Sequence, residues 1–365
     1  MKPFQTMPCR VKSYEAAVDG YEKTNTYLVA FNDICNGGKN IFTPAGYTDY
    51  VGSFLYIPFL SNLSNLSVEI VTKYFFIVYG IFCITLSLIG LYSLFKTKPA
   101  LIHGTLSILG VGILCIFISD TYSFYGLTSL ALIPWWSKVD LFSEKNTKKS
   151  LFLFILTGIL IGFSNTIRGN SGTDILLSII FILIFYSFVK KTISRLYIII
   201  LIILPILVIN YQIDNLKEKS KSYLIQNTDI QKEFDLNFVR AIWHNAYYGL
   251  GYLSINNKNV PEPTDVYSIK KAKEVKPDVI LYSKDYERVL RNEYFNFARN
   301  FPLLYIKIHL SKAGVVLFYL LFFLNIGIYF LLKKKIKKET ILFFGIGILL
   351  NGMFGIIAEP DYTYL

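Results

Sequence analysis

Trp243-His244-Asn245-Ala246-Tyr247-Tyr248-Gly249-Leu250-Gly251-Tyr252 is the densest run of chemically capable residues in this chain of 365. Tyr247 and Tyr252 offer flat surfaces of the kind on which sugar rings stack, and the two glycines let backbone approach a ligand closely. His244 exchanges a proton near neutral pH or hydrogen-bonds a phosphate oxygen, with Asn245 as its polar neighbour. The plainer reading of the same run is an interfacial aromatic belt around a satisfied histidine.

A second constellation is Asn165-Thr166-Ile167-Arg168-Gly169-Asn170-Ser171-Gly172, set between two apolar stretches. The Arg168 guanidinium can grip phosphate oxygens bidentately. Its bland alternative is an anchor for lipid headgroups, and the glycines also suit a tight loop. Three carboxylates stand near apolar sequence as candidate proton acceptors: Asp19, then Asp49, then Asp120. Against those roles, Asp19 reads equally as a helix-surface acid, Asp49 as a turn former and Asp120 as a boundary cap. Cys9 and Cys35 share one polar segment and can pair in an oxidising compartment, although two cysteines make no framework. His103, His244 and His309 are scattered, with no metal-ligand spacing, so zinc is not expected and a divalent cation is not indicated.

The elements that must position these residues are mostly apolar. Hydrophobic residues make up 53% of the chain, with 27 tyrosines and 30 phenylalanines, which is a membrane composition. The net charge of +12 does not point to nucleic acid, because much of the excess sits beside apolar runs: Lys96/Lys98, Lys145/Lys148/Lys149, Lys190/Lys191/Arg195 and Lys333 to Lys338. Crossing a bilayer takes about 20 apolar residues. Runs near 70–94, 101–119, 122–136, 151–167, 174–189, 196–213, 306–332 and 341–357 predict about eight spans.

All four basic clusters can lie on the cytoplasmic side. The expected division is then an extracytoplasmic segment 1–67, a bundle of about six spans over 68–213, an extracytoplasmic loop 214–305, and a carboxy-terminal pair over 306–365. Met1 to Arg10 carry no apolar signal core, so an export helix is expected upstream, and the ending just after an outward crossing is expected to be clipped too. In the outer segments, Ser13–Asn36 predicts a helix with Ala16, Ala17, Tyr21, Leu28 and Phe31 on one stripe, closed by Gly37 and Gly38. The spacing of Tyr282, Tyr286, Leu290, Tyr294 and Phe297 predicts an amphipathic helix on the membrane surface, with Glu287 and Arg291 paired on one face.

Asp19-Gly20-Tyr21-Glu22 followed by Pro44, Gly46, Tyr47, Asp49 and Tyr50 resembles the first extracytoplasmic loop of the GT-C glycosyltransferases. The Trp-His-Asn-x-Tyr-x-Gly-Leu-Gly-Tyr run and the later Tyr-Glu-x-x-Leu-Arg-x-Glu-Tyr resemble a group of bacterial polytopic proteins associated with that superfamily. The resemblance implies an all-α integral membrane fold, a GT-C-like multi-helix bundle. It also implies transfer of a sugar from a polyprenyl-phosphate donor to a glycan, lipid or protein acceptor of the cell envelope, outside the plasma membrane. Under it, Asp19 is the base, Arg168 and Arg240 hold phosphate, and His244, Tyr247 and Tyr252 shape the pocket. An O-antigen ligase or polymerase shares the outer His-Asn pair and outer arginines and is the neighbouring enzyme reading. A polysaccharide or lipid transporter or assembly subunit is the non-enzymatic one, expected to carry more charged or broken helices at mid-membrane.

Overall fold

The computed structural model describes residues 8–33, 35, 39–46, 51–94, 98–118, 121, 123–136, 148–190, 197–232, 235–236, 242–252, 257, 259–333, 345–346, 349, 352–353 and 355–357. The chain is mostly helical and divides into two compact units, residues 1–228 with 342–347, and residues 229–341 with 348–365.

The first unit opens with α1 (Pro8–Thr24), a two-stranded antiparallel hairpin of β1 (Val29–Phe31) and β2 (Phe42–Pro44), and α2 (Val51–Ser64). The helix expected over Ser13–Asn36 therefore stops at Thr24, and its second half is turn and strand. Asn25 takes a left-handed φ of 51°, its N–H closing on the Tyr21 carbonyl at 2.7 Å, and Leu28 follows at φ 63°. Asparagine tolerates that region and ends helices there. Gly20 has a packing reason: a Cβ on it would lie 2.1 Å from the Val29 carbonyl oxygen, so only glycine lets β1 cross this close to α1. Ser13 donates to the buried Asp33 carboxylate at 2.9 Å, and a Cys9–Cys35 disulfide ties the start of α1 to the chain after β1.

The remaining helices of this unit are α3 (Val68–Leu94), α4 (Lys98–Ile118), α5 (Ser123–Trp136), α6 (Lys148–Ile167), α7 (Thr173–Lys190) and α8 (Tyr197–Asn227). Polar pins join them where apolar contact alone gives no register. Tyr79 on α3 has its hydroxyl 3.0 Å from Thr128 Oγ1 on α5 and 2.6 Å from Ser164 Oγ on α6, and Trp136 Nε1 donates to Thr157 Oγ1 at 3.0 Å. α8 runs well past the apolar run that ends near 213. Its polar continuation packs on the hairpin, with Ser220 Oγ donating to the Leu28 carbonyl at 2.8 Å and Tyr223 edge-on to Phe42.

The second unit holds α9 (Ile242–Gly249), α10 (Asp265–Val275), α11 (Lys284–Asn300) and α12 (Pro302–Lys333). Thr264 and Ser283 cap α10 and α11 by accepting from the backbone N–H groups of Tyr267 and Tyr286. The apolar stripe of α11 does not face outward. Tyr286, Leu290, Tyr294 and Phe297 are buried against Ala246, Tyr247 and Leu250 of the α9 region, Ala272 of α10 and Ile308 of α12. Protein covers the face expected to enter a membrane surface. Glu287 likewise turns to α9 rather than pairing with the exposed Arg291.

Among the described residues two helices are long and apolar enough to cross a bilayer, α3 from Val68 to Ser93 and α8, and a third crossing is possible if α11 and the first part of α12, bent by 107° between them, count as one. Leu101–Phe117, Leu151–Ile167 and Thr173–Phe185 are apolar but shorter.

Candidate functional site

Among the described residues of the second unit, a connected polar site is built around His244. It sits in the first turn of α9, 3% exposed. Its ring lies between two helices: Nδ1 meets the Tyr286 hydroxyl of α11, and Nε2 lies 3.0 Å from Asp265 Oδ1 at the start of α10. Burial, then the neighbouring Tyr282, Glu287 and Asp265, push the Tyr286 phenol well above its ordinary range, so it stays protonated and donates to Nδ1. With Nδ1 accepting, the ring hydrogen that faces Asp265 is the one on Nε2. The chain Tyr286–His244–Asp265 is a fully satisfied relay running from the core to a carboxylate that is 71% exposed.

Glu287 fixes the helix that carries the histidine. Its Oε2 accepts from the Trp243 N–H at 2.8 Å and its Oε1 from the His244 N–H at 3.3 Å, closing the amino end of α9. Burial raises this carboxyl above its ordinary range, while the two backbone N–H groups pull the other way. Ser268 Oγ adds a bond to the His244 carbonyl at 3.3 Å, so α10 is tied to both the ring and the backbone of His244. Tyr282, next to the site, has a left-handed φ of 60°, and its ring centroid lies 5.8 Å from that of His244. A bulky residue in that conformation stores strain of about 1–3 kcal/mol. Gly251 closes the far end of the α9 segment: a Cβ there would fall 2.2 Å from the Pro261 carbonyl oxygen.

The other expected site residues are dispersed. Tyr247 is buried and stacks on Tyr267 at 6.5 Å, so its ring is a core surface and no open sugar platform. Asn245 and Tyr252 are half-buried on either side of it in sequence. Asp19 is exposed on α1. Arg168 is 4% exposed, its Nε donating to the Tyr125 hydroxyl at 3.2 Å while that hydroxyl donates to the Gly169 carbonyl at 2.9 Å. The loop holds the arginine inward, its guanidinium 5.5 Å from the Tyr125 ring centroid. Asp49, Asp120 and Arg240 lie outside the described residues. Among the described residues no three His, Cys, Asp or Glu side chains converge as metal ligands.

Residues missed in the sequence are Asp265, Asp33 and Lys312. Thr-Asp at 264–265 carries a helix-start signal, but nothing local pairs Asp265 with a histidine 21 positions earlier. Lys312 is fully buried on α12, its Nζ 3.4 Å from the Ile357 carbonyl, one turn from His309, whose Nε2 lies 3.1 Å from the Tyr294 hydroxyl.

A mostly apolar groove of about 520 Å³ runs along α3 in the first unit, lined by Leu60, Ser64 and Leu66, by Val71, Tyr74, Phe75, Val78, Tyr79 and Phe82, and by Phe163 of α6. Tyr56 stacks on Phe163 at 5.2 Å and reaches Thr166 at 3.3 Å. Arg168 follows Phe163 by five positions, just past the end of α6 at Ile167.

No family model, curated protein or solved structure matches this chain.

Proposed function

We propose that this protein is a GT-C-type membrane glycosyltransferase, moving a sugar from a polyprenyl-phosphate donor to a cell-envelope glycan, lipid or protein on the extracytoplasmic face of the plasma membrane. About eight spans belong to this reading, with the three shorter apolar helices, α5, and the parts of the chain beyond α11 completing the bundle. The observation that carries it is the groove along α3: wholly hydrophobic side chains make most of its wall, and it opens in the unit that also bears the disulfide-tied outer segment and Asp19. A long isoprenoid tail suits such a surface, since each buried CH₂ contributes about 0.8 kcal/mol. The buried Arg168 beyond the groove then sets the level of the carrier phosphate and orders the loop around it.

The test is the profile of surface glycans and lipid-linked sugars in cells lacking the protein, complemented by the native chain or by Asp19→Asn. Loss of one glycosidic linkage that the native chain restores and the variant does not supports both the class and the base. An unchanged profile in the deletion favours a transporter or assembly subunit.

A ligase- or polymerase-like transferase is favoured by one observation, the His244 relay. Dependence on His244 with indifference to Asp19 would select it.

A further inference from the structure

We infer that the outer face of α11 docks a linear phosphodiester polymer whose backbone is polyol or sugar. This surface lies within the second unit alone, and its role stands whether or not the chain transfers a sugar. The three acids of α11 are all engaged with neighbouring segments. Glu287 closes the amino end of α9, Glu293 reaches Lys271 of α10 at 3.2 Å, and Asp285 reaches Lys276, just past α10, at 3.2 Å and Arg288 at 3.3 Å. The cations of the helix go the other way. Lys284, Arg288, Arg291 and Arg299 are all exposed, and their spacing gathers them within an arc of about 80° along about 22 Å of helix. That arc lies opposite the stripe of Tyr286, Leu290, Tyr294 and Phe297 buried in the core. Among the described residues, no acid pairs with Lys284, Arg291 or Arg299.

Folding alone does not ask for this face. Like charges three or four positions apart repel, and Lys284 stands at the amino end of α11, where the helix dipole favours an acid. A helix built only to cover the core gains by mixing both signs on its solvent side. A bilayer is a poor partner, because a helix lying in a membrane surface gives its apolar side to the lipid, and here protein holds that side. One ring stands within the arc, Phe295 at 45% exposed. A single ring is too little for successive stacked bases but suits the edge of one sugar or polyol. Arg288 and Arg291 are three positions apart, with Cβ atoms separated by about 5–6 Å, so their guanidinium groups can meet one tetrahedral phosphate from two sides. One guanidinium already takes both oxygens of a planar carboxylate. Arg299, two turns beyond Arg291, is placed for a later phosphate, so a chain fits the length better than a single ion.

The full-length chain is placed in nanodiscs of uncharged phosphatidylcholine and titrated with fluorescent poly(glycerol phosphate), alongside polygalacturonate, single-stranded DNA and neutral dextran. The expected result is binding of poly(glycerol phosphate) ahead of the other three, weakening as salt rises. Arg291→Glu combined with Arg299→Glu should lower that affinity at least about tenfold at an unchanged thermal midpoint, and the paired glutamine variants should lower it less. Lys39→Glu combined with Lys219→Glu, two exposed lysines of the first unit, is the charge-matched control that keeps native affinity. If the glutamate pair melts early, the glutamine pair decides by the same comparison. Absence of binding by the native chain overturns the assignment, and so does native affinity in the Arg291 and Arg299 variants. Equal or tighter binding of polygalacturonate or DNA overturns the polymer's chemistry. Loss of polymer binding when the discs contain anionic phosphatidylglycerol gives the face to the membrane and overturns it as well.

Discussion

Glu287 of α11 caps a different helix from its own: its carboxylate oxygens accept the backbone N–H groups of Trp243 and His244, at 2.8 and 3.3 Å, so the histidine is held at its backbone by one residue of α11 and at its ring by the next, Tyr286. The two neighbours in sequence reach the two ends of one residue because His244 lies against the first turn of α11.

The first prediction follows from that cap. Glu287→Ala leaves the half-buried Trp243 and the buried His244 N–H groups without their acceptor and should destabilise α9 by about 1–3 kcal/mol, read as faster amide exchange at residues 243–248. Glu287→Gln keeps an acceptor and should lose much less. Burial holds the folded carboxyl above its unfolded value, so the folded chain binds the proton more tightly. Stability is therefore full below the unfolded carboxylate range and falls as pH rises through the folded value. Glu287→Gln should flatten that slope, and a glutamine chain with the native slope would remove Glu287 as its source.

Gly20 and Gly251 should resist replacement for steric reasons. Alanine at either site puts a Cβ 2.1 or 2.2 Å from a backbone carbonyl oxygen, which flexible side-chain movement cannot relieve. Gly20→Ala should detach the hairpin from α1, and Gly251→Ala should displace the chain at Pro261. Gly110, with open space around its Cβ position, is the control whose alanine variant keeps the native melting midpoint.

The Cys9–Cys35 bridge closes a loop across 26 positions. Its removal by Cys9→Ser should lower stability by about 2–4 kcal/mol, concentrated in α1 and the hairpin. In the native chain, alkylation before reduction should label Cys83 and Cys115 only after unfolding, and Cys9 and Cys35 only after reduction. Labelling of Cys9 in the folded, unreduced protein would mean that the pair stays open in the cell.

Filling the groove should separate its role from that of the outer residues. Val78→Trp places a large ring among Tyr74, Phe75 and Phe82. It should weaken capture of a photoactivatable polyprenyl phosphate by the purified chain at least about tenfold, a difference of about 1.4 kcal/mol, with little change in melting midpoint. Capture equal to native would move the carrier tail elsewhere on the protein.

Much of the helical plan is local and so was readable from composition and period. The apolar runs near 70–94, 101–119 and 122–136 lie within three residues of the ends of α3, α4 and α5, because a long hydrophobic run favours helix wherever it sits, and Pro134 falls only in the last turn of α5. The period-3.6 stripe through Tyr286, Leu290, Tyr294 and Phe297 likewise located α11. What covers that stripe was not readable: a protein core and a lipid surface accept the same side chains, and only the packing of α9, α10 and α12 decides between them. The Ser13–Asn36 helix failed for a related reason, since a weak apolar stripe was outweighed by a left-handed Asn25 and by the chance for residues 29–31 to pair with 42–44. The sequence by itself determined where the long apolar helices form and that much of their surface is hydrophobic, since both follow from neighbouring residues. Tertiary structure alone decided that His244 finds Asp265 and Tyr286, that Arg168 turns inward, and that Glu287 caps another helix, because a polar side chain's partner depends on which distant segments the apolar packing brings within about 3 Å.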